Sequence, residues 1–385
     1  MAGLDPARSA APAGRTYTWA YAAYPARVVF GHGTVGTVLD EVERLGRSRA
    51  LLLAGPRVSE HADTVAAVLG SSAVARFDGV AEHTPVQVTE QALTVLREHD
   101  ADCVVAVGGG STTGLAKALA ARTGLDQVIL PTTYAGSEMT PVLGETENGV
   151  KTTRSSADVV PEAVVYDVDL TLDLPVHISV ASGVNAMAHA VEALYAPQVS
   201  PLVQASALTA LSRIAGALPR LVSDPGGTAA RADMLTGAWL AGICLASADM
   251  ALQHKLCHTL GGSFGLPHAE THAAVLPHVM AYNAPAVPDV MAQIAEALSA
   301  ATPLIAWPAP AGDRHSSVID DAPGFMFDLI SAVGGPLSLR ELGLAEHDVP
   351  KAAELATARP YPNPRTVTTP GLERLLHAAW RGTRP

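Results

Sequence analysis

The sequence predicts two domains of different class, α/β and then all-α: a parallel sheet covered by helices, followed by a helical domain. Over roughly the first 170 residues, short β-branched runs alternate with segments of three-to-four-residue apolar spacing. From about Asp173 onward long Ala- and Leu-rich helical stretches remain and no convincing strand follows. Between the two patterns lies LTLDLP, residues 170–175, where a proline ends the strand-type pattern.

Taken in order, the strand candidates are ARVVFG (26–31), RALLLAG (49–55), DCVVAVGGG (102–110), QVILPTT (127–133) and EAVVYD (162–167). Residues 84–99 and 111–121 read as helices between them. Continuous apolar strands separated by helices imply a parallel sheet buried on both faces. The later helices are 182–195, 201–221, 230–246 and 289–300. The expected organisation is therefore a flexible extension over 1–20, an α/β domain over 21–172 and a helical domain over 173–385.

Composition narrows the function. With 25 Lys+Arg against 37 Asp+Glu the net charge is −12, which repels nucleic acid and anionic membrane surfaces at long range. Apolar residues reach 48% and charged residues only 16%, as expected where surface is buried in an oligomer, and a homodimer is the simplest case. Cys103, Cys244 and Cys257 lie far apart without a CxxC pair, so no disulfide framework is readable and a reducing cytoplasm fits. The Ala/Pro-rich start carries Asp5 and Arg8 where a secretory signal needs an apolar run. The nearest long apolar stretch, 284–307, is broken by Asp289, Glu296 and prolines, so a soluble protein is expected.

Two features point to chemistry. At DCVVAVGGGSTTGLAKALA a buried strand runs into Gly108, Gly109 and Gly110, then Ser111, then a helix. Glycines let the backbone turn sharply, and the helix N-terminus beyond offers N–H groups and partial positive charge to a phosphate. The next strand end, QVILPTTYAGSEMT, places Thr132, Thr133 and Ser137 in a polar loop at the same sheet edge, where open α/β folds bind ligands. The pattern suits a Rossmann-like dinucleotide site, with a structural turn as the alternative, since the spaced GxGxxG fingerprint is absent.

The second feature is a concentration of histidines. In SGVNAMAHAVEALY, Asn185, His189 and Glu192 fall at i, i+4 and i+7 on one face of an otherwise apolar helix. His254, His258, His268, His272 and His278 follow within 25 residues, with Lys255 among them. Imidazoles on facing helices build metal or acid/base sites inside helical domains.

These residues resemble the iron-containing, or group III, alcohol dehydrogenases, and most closely their maleylacetate reductase branch. The markers run from about Tyr24 to the C-terminus: YPARVVFGHG, VVAVGGGSTTGLAKA, PTTYAGSEMTP, SGVNAMAHAVEALYAP, HKLCHTLGGSFGLPHAETHA and PYPNPR. The resemblance implies a dehydroquinate synthase-like arrangement, an NADH- or NADPH-binding α/β domain and a helical domain, with the active site in the cleft between them. It implies that Lys151 lies near the cofactor ribose. Metal-dependent relatives carry an Asp and three His as ligands, and the matching positions here are Asn185, His189, His254 and His268. An amide in place of the carboxylate should weaken iron or zinc binding sharply. Gly114 likewise replaces an Asp usual after GGGS.

For this branch the expected reaction is reduction of the conjugated C=C bond of maleylacetate, or a close analogue, to 3-oxoadipate in aromatic-compound catabolism. The resemblance makes His258 and His268 the first candidates for oxyanion stabilisation and proton delivery, with His254 in support and Tyr361 as a further donor. Lys255 and Arg365 are candidate anchors for the two carboxylates of a small dicarboxylate, beside Asn185 and His189 on the substrate side. Arg57, after the second strand, could favour the 2′-phosphate of NADPH. The alternatives are a metal-dependent alcohol or aldehyde dehydrogenase using His189, His254 and His268, a relative that has lost hydride transfer, and a dehydroquinate-synthase relative.

Overall fold

The computed structural model describes residues 19, 21, 23–24, 26–147, 150–301 and 321–385. Most of the expected N-terminal extension and the Ala/Pro-rich stretch 302–312 therefore lie outside the described residues. Six strands form one parallel sheet: β1 (Arg27–Gly31), β2 (Ala50–Ala54), β3 (Ala73–Phe77), β4 (Cys103–Gly108), β5 (Asp126–Pro131) and β8 (Ala163–Asp167), in the order β1-β8-β5-β4-β2-β3. A separate antiparallel hairpin pairs β6 (Val142–Glu147) with β7 (Val150–Ser155).

Alternation along the strands makes the two layers. Leu52, Ala54, Val105, Val107 and Val128 pack on one face with α1 (Val38–Arg44) and α2 (Ser59–Leu69). Leu51, Leu53, Val104, Ala106 and Ile129 pack on the other with α3 (Val86–Glu98) and α4 (Gly110–Thr123). Residues covered on both sides need no polar face, which is why β2 and β4 read as unbroken apolar runs. The chain leaves β2 toward β3 on one side and returns to β4 on the other, so the crevice at the C-terminal ends of β2 and β4 is a topological switch point.

After β8 the described chain is helical: α5 (Val176–Leu194), α6 (Pro201–Ser223), α7 (Thr228–Ser247), α8 (Leu252–Phe264), α9 (His268–Asn283), α10 (Pro288–Ala300), α11 (Ala322–Ala332), α12 (Val349–Thr357) and α13 (Thr369–Arg381). The predicted class, α/β followed by all-α, is borne out. α5 is buried from Ser179 to Leu194 on every side, so it is the central helix rather than a surface one. Among the described residues no single helix is long and apolar enough to cross a membrane.

Arg231 of α7 holds the two halves together. It is 1% exposed, and its guanidinium donates to the carbonyls of Leu172, Leu174 and Pro225 and to the hydroxyls of Tyr134 and Ser179. The loop after β5 also meets α7 backbone to backbone: a Cβ on Gly242 would lie 2.7 Å from the Gly136 carbonyl oxygen.

Candidate active site

The glycine turn lies at the switch point. Gly108 ends β4 with φ of +152°, a conformation that favours glycine, and a Cβ there would collide with the Thr112 side chain. Gly109 precedes the first turn of α4, and a Cβ on it would lie 3.0 Å from Thr133 Cγ2. The Cβ position of Gly110 is 3.7 Å from Ser137 Oγ, which is buried and has no hydrogen-bond partner. The Thr132 N–H donates to the Gly108 carbonyl at 3.0 Å, drawing the loop after β5 alongside the turn. Ser111 lies in the first turn of α4. The α4 N-terminus and an unpartnered hydroxyl thus face one another, an arrangement suited to a phosphate. Gly114 has its own reason: a Cβ there would come within 2.5 Å of Thr84 Oγ1, which occupies the space an aspartate would need.

Three helices bring the histidines together. His189 comes from α5, His254 and His258 from α8, and His268 and His272 from α9. Ring centroids are 4.9 Å apart for His189–His254, 4.7 Å for His254–His272, 4.7 Å for His268–His272 and 6.0 Å for His258–His268. His189, His254 and His272 are buried, whereas His258 and His268 are exposed. His189 Nε2 also lies 3.3 Å from the Ala135 carbonyl, so the cluster touches the same loop that carries Ser137.

The buried rings are wired to Glu192. Its carboxylate accepts from the Gln253 backbone N–H at 2.7 Å and from His254 Nδ1 at 2.5 Å. Glu192 holds a proton on His254 Nδ1, and His254 Nε2 lies 2.8 Å from His189 Nδ1. His189 Nε2 faces the Ala135 carbonyl at 3.3 Å and the amide nitrogen of Asn185 at 3.5 Å. His272 is oriented too, since Gln253 Nε2 lies 3.2 Å from its Nδ1 and donates to its carbonyl at 3.1 Å. Its Nε2–H is left as a buried donor without a partner.

Burial, then the neighbouring histidines, hold His189 and His272 well below the usual imidazole pKa, and burial alone takes His278 to about 4. In acid the unfolded chain binds protons at these sites that the folded chain refuses, so stability is fully present above the unfolded value of 6.5 and falls below it. The melting temperature should drop between about pH 7 and about pH 5. A flat or rising melting temperature over that range would contradict it.

Toward a divalent ion the donor set is mixed: Asn185 supplies no charge to offset the metal, whereas the Glu192 carboxylate on His254 Nδ1 is the kind of contact that orients a metal-ligating imidazole. Among the described residues no three His, Cys, Asp or Glu side chains are arranged to hold a metal ion.

The other sequence-predicted residues divide. Lys255, half-buried on α8, makes no ion pair among the described residues. The Tyr361 hydroxyl is buried and unpartnered, and burial, the Glu192 charge and Tyr282 raise its pKa. Lys151 belongs to β7, but its side chain lies outside the described residues. Arg365 is placed differently from expectation. It donates to the Tyr282 carbonyl at 2.9 Å and lies over the Tyr282 ring at 4.5 Å. Tyr282 is fourteen residues beyond His268 on α9, about 21 Å along the axis, so Arg365 secures the 360–365 loop rather than a carboxylate at the histidines. His278, expected within the histidine group, packs instead on Phe327.

Sequence reasoning missed Gln253, the second role of Glu192 and a buried trio of Lys117, Glu138 and Tyr166 beneath the turn. Only the i, i+7 spacing of Asn185 and Glu192 hinted at the first two; a lysine inside an Ala-rich helix reads as a surface charge.

Comparison with known proteins places the chain in a family. Residues 25–168 match the model for iron-containing alcohol dehydrogenase, and residues 179–380 match that for the C-terminal part of the Fe-containing alcohol dehydrogenase family. Maleylacetate reductase 1 of Rhodococcus opacus is 55% identical over 96% of this chain and 99% of its own. The crystal structure of maleylacetate reductase from Agrobacterium tumefaciens superposes with a TM-score of 0.89 at 46% identity, covering 96% of this chain and all of that one. A 1,3-propanediol oxidoreductase superposes at 0.85 with 27% identity, covering 94% of this chain and all of its own.

Proposed function

The chain belongs to the iron-containing alcohol dehydrogenase family, and from that premise we propose that it reduces the conjugated C=C bond of maleylacetate, or a close analogue, to 3-oxoadipate with NADH or NADPH. The observation that carries this reading is the exposed pair His258 and His268, backed by buried neutral rings and joined through Ala135 to the phosphate turn. With its pyrophosphate held at that turn, the cofactor would supply hydride to the carbon β to the ketone. An imidazolium at His258 or His268 would stabilise the charge developing on the ketone oxygen. The other ring delivers the proton that completes the carbon α to the ketone. His254 and His189 keep the ring cluster oriented through Glu192, Lys255 draws one substrate carboxylate, and Tyr361 stands as a further donor.

No step runs through a metal. The decisive assay is NADH oxidation with maleylacetate, with and without chelator: turnover that survives chelation supports this reading, and turnover abolished by chelation and restored by iron or zinc supports the metal-dependent alternative.

Cofactor binding is tested separately. Gly109→Val should press on Thr133 and fill the phosphate space, weakening NADH binding at least tenfold, about 1.4 kcal/mol. Unchanged affinity in a folded variant would sink the assignment. Arg57 is exposed just beyond β2, the strand next to β4, and would accommodate the 2′-phosphate of NADPH as well. We also propose a homodimer in the cytoplasm, in keeping with the three free, buried cysteines. Sedimentation as a single species of 39.6 kDa at micromolar concentration would contradict the dimer.

A further inference from the structure

Lys117 lies on α4 seven residues after Gly110, and it is 1% exposed. Its Nζ is 2.6 Å from the Ser137 carbonyl oxygen, 2.6 Å from that of Thr140, 3.0 Å from Thr140 Oγ1 and 3.1 Å from the Val142 carbonyl oxygen. Three of these contacts are to carbonyls, which only accept. A neutral amine has two N–H groups and a lone pair to place, whereas an ammonium has three N–H groups and no lone pair, so this cage is built for the charged form.

The gripped segment, residues 137–142, begins with Ser137, whose unpartnered hydroxyl faces Gly110. The far side of that segment is already fixed, because Gly136 packs directly on Gly242 of α7. A phosphate held between the α4 N-terminus and Ser137 therefore has walls whose separation is set by a lysine of α4 itself.

We propose that Lys117 is a positioning residue for the nicotinamide cofactor: its ammonium holds the Ser137 loop against the N-terminus of α4, and cofactor affinity falls when that charge is lost. This rests on the dinucleotide reading given above.

The charges around it are few. Glu138, 2% exposed, accepts the Tyr166 hydroxyl at 2.7 Å and is the charged group acting on Lys117. On neighbouring elements Glu145 is paired with Arg122 and Arg154, and Asp158 is bonded to Ser156. Burial pulls Lys117 down to about 7, with Glu138 opposing, so the cage loses its charge within the working range of most enzymes.

The test is a fluorescence titration of the full chain with NADH from about pH 6 to about pH 9. Wild-type Kd should rise about tenfold across that range. Lys117→Met should bind about tenfold more weakly at the acid end, without the wild-type rise, while kcat at saturating NADH stays within a few fold. If that variant fails to fold, Thr140→Val keeps the ammonium and removes one acceptor, and it should move the midpoint of the Kd profile to lower pH. A wild-type Kd that is flat with pH, or wild-type affinity in Lys117→Met, overturns the proposal while leaving the dinucleotide site standing. Failure of the wild type to bind NADH at any pH overturns both.

Discussion

Replacing His258 or His268 by alanine is expected to lower turnover by about 10² to 10³ while leaving NADH binding intact, as removal of a donor aimed at a developing oxyanion does elsewhere. The structure sharpens the expectation. Of the five clustered rings these two are the ones open to the surroundings, and they stack at 6.0 Å between centroids on different helices. His189 and His272 behind them are buried and held well below the usual imidazole pKa, so they cannot readily replace a lost cationic donor. Lys255→Ala should act on the other kinetic constant, raising KM for the dianion with a smaller change in kcat. Its ammonium supplies local positive charge in a chain whose net charge is −12. Near-normal turnover in both histidine variants would remove them from the chemistry. A fall in NADH affinity equal to the fall in turnover would instead mean that the fold at the cleft had been damaged.

Arg231→Met should be the most destabilising single change away from the histidines. The guanidinium satisfies three backbone carbonyls and two hydroxyls at the junction of the sheet with α5, α6 and α7, with no carboxylate among its hydrogen-bond partners. The hydroxyls of Tyr134 and Ser179 can turn to other partners and Pro225 is exposed, but the half-buried carbonyls of Leu172 and Leu174 each lose a donor. Losing those bonds costs about 2 kcal/mol. For a chain of this size that corresponds to a melting temperature lower by about 2 to 3 °C. Tyr134 adjoins Ala135, which touches His189, so activity should fall along with stability. A variant that melts within about 1 °C of the wild type would show that methionine packing replaces the network.

Much of this was legible because periodicity is local in sequence. The five β-branched runs are β1, β2, β4, β5 and β8, and the helices at 84–99 and 201–221 became α3 and α6 with small shifts at their ends. β3 escaped because AVARF is half-buried at a sheet edge and carries Arg76. The β6–β7 hairpin escaped because Leu143 is the single apolar side chain that VLGETE buries and VKTTRS is mostly polar, even though the Asn148-Gly149 dipeptide between them is a turn signal.

The sequence by itself determined the two fold classes, the glycine turn at a strand end, the neutral residue at position 185 and the set of histidines on the later helices. Each follows from residue type and spacing within one element. The tertiary structure decided which histidines are open and which are buried. It also turned Glu192 onto His254, carried Arg365 to the far end of α9 and closed a carbonyl cage around Lys117. Those outcomes depend on distances between elements far apart in the chain, and burial and proton placement follow from such distances rather than from the local pattern.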